Sequence, residues 1–583
     1  MFANTTGRIA ALAILVLTGA IPSAAKAEPA FDLLLLNARV VDGTGDTAYM
    51  ADVGIRDGRI AAIGGLQDAS ASERIDLDGR VLAPGFIDTH NHADQGIVDP
   101  ALRTNKGFIT QGVTTTIFGV DGAYDLDQIK QMREIFKHQG IGTNYMFYIG
   151  HNGVRLAVMG MDERVPSAAE IAAMKTMVKA AMDQGALGLS SGLMYLPGKF
   201  AATDELIELG RVAGMYGGLY DSHVRDPVRN LLESIDECLT IAWKSGLSAH
   251  PAHLKAVGAA NFGKSGEIAA LISGWQSRGL GVTADLYPYD GAATAKLVEI
   301  LVPPADSPAQ EMIERWKAPD KSSDEQAEIV REATRYYQQA LQDPKTREAI
   351  RQTTENPPKG VFSWVAAVGY ESYRIVVSDT PEYEGRMLTD IAAEREQTPF
   401  DLIADLIVDE GIRTKITLGA IQESDVQALL KQPWVMVSSD GAESGFENGG
   451  GHPRYRGTFP RLMGRYVREW GVLSLEEAVF KVTSLPASYL QLKDRGVIRE
   501  GAWADLVVFD ADKIIDRSTW DTPNRYSEGV IHVLVNGEFA LKNAMMTGGT
   551  HGRYLPFRGR GESLKRYQPA RINPPGAQTA YSN

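Results

Sequence analysis

Two histidines one residue apart, His90 and His92, follow the short apolar run Ala83-Pro84-Gly85-Phe86-Ile87-Asp88. If that run is a strand, alternation sends both side chains to the same face. Two imidazoles converging from one strand end can hold a divalent ion, and imidazole suits zinc. Such a pair needs further ligands from elsewhere in the chain. Three more apolar runs end in residues of the right type: Leu219-Tyr220-Asp221-Ser222-His223, His250-Pro251-Ala252-His253 and Val435-Met436-Val437-Ser438-Ser439-Asp440. A lone histidine is usually structural, but His223 and His253 at successive strand ends point to a shared centre. His250 reads as a packing or supporting residue, and His138, His532 and His551 have no metal context.

These residues require a scaffold that brings distant strand ends together. Eight candidate strands are legible at 85–91, 113–119, 144–150, 186–191, 217–222, 248–254, 281–287 and 434–439, with helical text such as Ala168–Asp183 and Asp204–Ala213 between several of them. Eight βα units predict an α/β fold, a (β/α)8 TIM-type barrel whose functional residues stand at the C-terminal ends of its strands. The stretch 288–433 is too long for one connection, and its charged helical text predicts an inserted cap over the barrel mouth. Short apolar runs broken by Asp42-Gly43, Asp57-Gly58 and Asp78-Gly79 fill residues 28–83, and similar text returns over 496–583. Both blocks together predict a small β-sandwich built from the two chain ends. Barrel strands one to seven then occupy 84–287, and 434–495 holds strand eight and the helices after it.

At 583 residues the chain exceeds one compact core, and 44% hydrophobic with 23% charged residues is ordinary globular composition. A formal charge of -14 and a pI of about 5.3 argue against nucleic acid as a partner. Residues 1–27 read as a signal peptide: Arg8 precedes an apolar run from Ile9 to Ile21, and Ala25-Lys26-Ala27 is a small-x-small cleavage site. The apolar run is too short to span a bilayer, so the expectation is a periplasmic or secreted protein without a membrane anchor after processing. Cys238 is the only cysteine, which rules out an intrachain disulfide and a cysteine-rich zinc site.

The chain resembles the D-aminoacylase (N-acyl-D-amino-acid deacylase) family of the metal-dependent amidohydrolase superfamily, from about residue 32 to 545. The resemblance is carried by Pro84–His92, Gly112-Val113-Thr114-Thr115, Gly185–Tyr195, His253-Leu254-Lys255, Asp285-Leu286-Tyr287-Pro288-Tyr289, Ser439-Asp440-Gly441, His452-Pro453-Arg454, Gly457-Thr458-Phe459-Pro460 and Gly501–Val507. It implies the barrel with a split sandwich, and hydrolysis of the amide of an N-acyl-D-amino acid or related dipeptide by metal-bound hydroxide. It also implies zinc, as one ion or two, or another divalent metal in its place. His90, His92, His223 and His253 match the family's metal ligands. Asp440 matches the strand-eight aspartate, which binds metal and shuttles the proton as general base and then general acid. Lys255 and Arg454 match basic residues around the substrate carboxylate, Tyr195 and Tyr287 resemble pocket tyrosines, and Ser191 is expected to line the pocket.

One departure stands out. Where the family usually carries a metal-binding cysteine, this chain reads Gly119-Val120-Asp121-Gly122. Asp121 is therefore expected as a ligand, with a carboxylate accommodating harder metals better than a thiolate does. Three other readings compete. A cyclic-amide hydrolase of the dihydroorotase or hydantoinase type uses a carboxylated lysine on strand four, which is absent from Gly185–Ser191. Gly188–Gly192 satisfies the G-x-S-x-G pattern of serine hydrolases, without a legible triad order. A periplasmic binding protein would have little use for four histidines and an aspartate at strand ends.

Overall fold

The computed structural model describes residues 29–317, 323–359, 361–443, 452–520 and 522–559. The expected signal peptide lies outside them.

Both ends of the described chain enter one nine-stranded sheet. Its N-terminal strands are Phe31–Val40, Tyr49–Arg56, Arg59–Gly64, Ala71–Asp76 and Val81–Pro84; its C-terminal strands are Leu506–Phe509, Val530–Val535, Glu538–Lys542 and Met545–Met546. The seam is Val81–Pro84, antiparallel to Leu506–Phe509 and parallel to Phe31–Val40. Tight hairpins form where Asp57-Gly58 and Asn536-Gly537 take positive φ at both central residues, the backbone that a two-residue turn needs. Leu35, Val40, Val53, Ile55, Leu82, Leu506, Val508 and Leu534 pack into a core separate from that of the main body. The strands of both chain ends thus form one continuous sheet with its own core, because Val81–Pro84 hydrogen-bonds to both halves.

From Pro84 the chain steps straight into the first of eight successive parallel strand segments. Gly85 makes the step feasible: a Cβ there would meet Thr114 side-chain atoms at 2.3 Å. The segments are Phe86–Asp88, Val113–Phe118, Asn144–Phe147 continued by Ile149–Gly150, Gly188–Gly192, Leu219–His223, Ser248–Pro251, Ala284–Leu286 and Val435–Val437. Each pairs in parallel with its neighbour in chain order, from first to second through seventh to eighth. The first, second, sixth, seventh and eighth stop earlier than their sequence text, because the residues past the strand end turn into loops that carry polar side chains; the fourth and fifth start later than theirs and run one residue further. The outer layer includes Leu126–Gln139, Ala168–Asp183, Thr203–Met215, Leu231–Ser245 and Ser265–Ser277. Capping boxes at Asp125/Gln128 and Ser167/Glu170 start two of these helices by satisfying otherwise orphaned N–H groups.

Within 288–433, Gly291–Lys296 pairs antiparallel with Lys415–Ala420, which pairs in turn with Ile375–Val377, and helices such as Ser323–Ala340 and Pro399–Glu410 accompany them. A bridge between Val257 and Ile421 ties this insertion to the loop after the sixth strand. Helix Glu423–Leu430 packs on Ser265–Ser277 and on the eighth strand, so it belongs to the outer layer. No described helix is long and apolar enough to cross a membrane.

Candidate metal centre

Asp121 sits at the meeting point of four imidazoles. Its Oδ1 lies 3.4 Å from His90 Nε2, 3.7 Å from His223 Nδ1 and 3.6 Å from His253 Nε2, while its Oδ2 lies 3.5 Å from His92 Nε2. Asp440 Oδ1 stands 3.2 Å from His92 Nε2. Two triads have ligand atoms mutually close enough for one ion, His90/His92/Asp440 and His90/Asp121/His253. Both His90 nitrogens and Asp121 Oδ1 are buried without a hydrogen-bond partner among the described residues. Buried polar atoms are ordinarily paired, so nitrogen and oxygen donors left open in this way fit a divalent cation.

The backbone positions these groups at some cost. Asp121, His253 and Asp440 all take positive φ, at 56°, 37° and 44°. Non-glycine residues in that region cost about 1–3 kcal/mol each and concentrate at functional sites. His90 and His92 lie beyond the end of the first strand at Asp88, and His92 is the residue before helix Ala93–Ile97. Their convergence therefore comes from the turn after the strand and not from strand alternation. That turn is held to the eighth strand by Asp440 N–H to His90 O at 2.8 Å and His92 N–H to Gly441 O at 2.7 Å.

A second set of buried carboxylates braces these groups. Asp88 accepts from Ser439 Oγ at 2.5 Å and Ser439 N–H at 3.0 Å, tying the first strand to the eighth. Burial pushes the Asp88 carboxyl up to about 7, against the pull of these bonds. Asp285 accepts from Thr89 Oγ1 at 2.8 Å and from the His253 N–H at 2.5 Å, with His250 Nε2 at 3.0 Å from it. Burial alone raises the Asp285 carboxyl, but the charge of His250 beside it brings the net shift below the usual range. His250 also stacks on Tyr489, a supporting place consistent with its sequence reading. Asp88, Asp221 and Asp285 had no role in the sequence reading. Their only signal there is an acidic residue inside an apolar strand text.

The other expected site residues divide. Arg454 clamps Asp440, with Nη2 at 3.0 Å from Oδ2 and Nε donating to the Asp440 carbonyl at 2.7 Å; its Nη1 donates to Ala292 O at 2.6 Å. Burial raises the Asp440 carboxyl, yet the Arg454 charge and the imidazoles outweigh it and hold the group well below the usual range. Lys255 Nζ lies 2.8 Å from His253 Nδ1, and burial brings its ammonium down to about 8. Both cations lie close to the Tyr287 ring, Arg454 at 4.5 Å and Lys255 at 5.3 Å from its centroid. Tyr195 OH lies 3.2 Å from His223 Nδ1, and its side chain is partly exposed. Ser191 is a correction: it bonds Tyr220 OH and Ser222 Oγ, on the strand face opposite to His223. Strand alternation turns Ser190 inward instead, where its Oγ donates to Gly119 O and accepts from Gly122 N–H on the loop that carries Asp121. Ser190 thus has backbone partners and no histidine, as a serine nucleophile would need.

Imidazoles and carboxylates gathered at the C-terminal ends of parallel strands, beside an arginine-clamped aspartate, define a metal-dependent hydrolase of the amidohydrolase class. Residues 327–540 match the amidohydrolase family. N-acyl-D-glutamate deacylase of Alcaligenes xylosoxydans xylosoxydans is 35% identical over 532 residues, covering 87% of this chain and 93% of that one. The solved N-acyl-D-glutamate deacylase of Bordetella bronchiseptica, complexed with zinc and a phosphonate mimic of the tetrahedral intermediate, superposes at a TM-score of 0.68 with 31% identity. A solved D-aminoacylase described as having a binuclear metal centre superposes at 0.67 with 30% identity; both alignments cover 90% of this chain and 99% of the other. The chain belongs to the D-aminoacylase family of amidohydrolases.

Proposed function

We propose that this protein hydrolyses the amide bond of N-acyl-D-amino acids or related dipeptides, with a divalent ion held among His90, His92, Asp121, His223, His253 and Asp440. The observation that carries the reading is Asp121, whose two oxygens face four imidazoles at 3.4–3.7 Å. Oδ1 faces His90, His223 and His253 while Oδ2 faces His92, so both carboxylate oxygens would be available to a divalent ion held there. The eight parallel strands are taken as a closed (β/α)8 barrel and the sheet of both chain ends as a sandwich against it. The bond from Asp440 N–H to His90 O supports closure.

A divalent ion bound there supplies Lewis acidity, lowering the pKa of water towards about 7 and polarising the scissile carbonyl. Asp440 Oδ1 accepts a proton from the attacking water and returns it to the leaving amine, while Arg454 on Oδ2 fixes the carboxylate's orientation. Lys255 and Arg454, both near the Tyr287 ring, form a cationic corner for the substrate carboxylate. Arg454 directs Nε to the Asp440 carbonyl, Nη1 to Ala292 O and Nη2 to Asp440 Oδ2, which holds its guanidinium in place beside the site. Cyclic-amide hydrolysis through a strand-four lysine has no residue to use, since that strand reads Gly188-Leu189-Ser190-Ser191-Gly192.

The test is amine release from N-acetyl-D- and N-acetyl-L-amino acids and dipeptides, with and without a chelator. Turnover of D-substrates, abolished by chelation and restored by Zn2+, is expected. Inertness on every acyl amino acid, or turnover indifferent to chelation, would contradict the proposal.

A further inference from the structure

The geometry points to Asp221 as a positioning residue: an anionic partner behind His90 that fixes which imidazole nitrogen faces the ion and tightens binding at that position. The inference rests on the metal reading above. Asp221 lies two residues before His223 on the fifth strand, so both side chains leave the same face. It is fully buried, and neither carboxylate oxygen has a hydrogen-bond partner among the described residues. Asp221 Oδ2 is 3.6 Å from His90 Nδ1, while His90 Nε2 points the other way, 3.4 Å from Asp121 Oδ1. His90 is itself fully buried with both nitrogens unbonded. The imidazole therefore stands in line between two carboxylates.

An unpaired buried carboxylate carries a large desolvation cost, and the neighbouring carboxylates avoid it. Asp88 is bonded to Ser439, and Asp285 to Thr89 and the His253 backbone. Asp221 has His90 alone within ion-pair distance. An ion at Nε2 requires the neutral imidazole to keep its proton on Nδ1, the nitrogen that faces Asp221. A carboxylate there accepts that proton in a hydrogen bond, locks the tautomer and makes the ligand nitrogen more basic, the role that outer carboxylates play behind metal-bound histidines. Both orphaned Asp221 oxygens and the orphaned His90 nitrogens are then explained together.

The experiment is Co2+ titration of the metal-stripped full chain, read by visible absorption and by competition with a chelator, for wild type, D221N, H90A and D221N/H90A. D221N is expected to weaken the ion that His90 holds by about 10- to 100-fold and to alter its absorption, while the metal-free variant melts no lower than wild type. In the H90A background, D221N is expected to cause no further loss. Wild-type affinity and spectrum in D221N, a further loss in the H90A background, or a metal-free D221N that fails to fold would each overturn the role of Asp221. Wild-type protein that takes up no Co2+ would instead remove the metal reading beneath it.

Discussion

At the scale of single residues, Asp121 decides what the site can hold. A carboxylate is a harder donor than a thiolate and offers two oxygens, so D121C is expected to keep a bound ion but to favour Zn2+ over Mn2+ more strongly than wild type does. Competition binding of the two metals checks this. Asp440→Asn removes the proton acceptor and is expected to lower kcat by about 10²- to 10⁴-fold, measured at saturating substrate. The four histidines that face Asp121 were legible because each closes an apolar run. Ser191 was misplaced because the sequence shows two adjacent serines, and only strand register says which one faces inward. Arg454 was legible as a basic residue expected near a substrate carboxylate, but its grip on Asp440 joins helix Arg454–Arg461 to the end of the eighth strand, a contact no local pattern records. Asp221 and Asp285 were not legible, since a buried carboxylate and an exposed one look alike until their neighbours are known.

At the scale of elements, the site depends on the junction between the first and eighth strands. Ser439→Ala deprives the buried Asp88 carboxyl of its shortest bond, with an expected cost of about 1–3 kcal/mol in thermal unfolding. Below the eighth strand, Lys481 on helix Leu475–Val482 donates to Gln432 O at 2.6 Å and Val435 O at 3.1 Å. Burial brings its ammonium from 10.5 down to about 7. Between those pH values the unfolded chain holds the proton and the folded chain does not, so wild-type stability falls as pH drops from 10.5 towards 7. Against K481M, wild type is expected to lose about 1 kcal/mol per pH unit across that window, compared by denaturant unfolding at pH 7 and pH 10. Neither junction is visible in the text of the elements. The strands themselves were, although five of the eight end earlier than their sequence text, where the chain turns to present its polar residues.

At the scale of the whole molecule, both chain ends meet in one sheet beside the parallel strands, so the ligand turn at His90–His92 emerges directly from that sheet through Gly85. Asp-Gly turns made this β block legible near the N-terminus and apolar runs with Asn536-Gly537 near the C-terminus, whereas its continuity across Val81–Pro84 depends on long-range pairing that no local pattern records. The export proposal belongs at this scale as well: N-terminal sequencing of protein from the native host is expected to begin near Glu28, and a mature chain retaining Met1 would contradict it. The most direct measurement is metal content per chain, in wild type and D121A, alongside hydrolysis of N-acetyl-D-amino acids. Wild type is expected to hold at least one divalent ion with activity following occupancy, and D121A to lose both. Full activity in metal-free wild type, or unchanged metal and turnover in D121A, would contradict a centre built around Asp121.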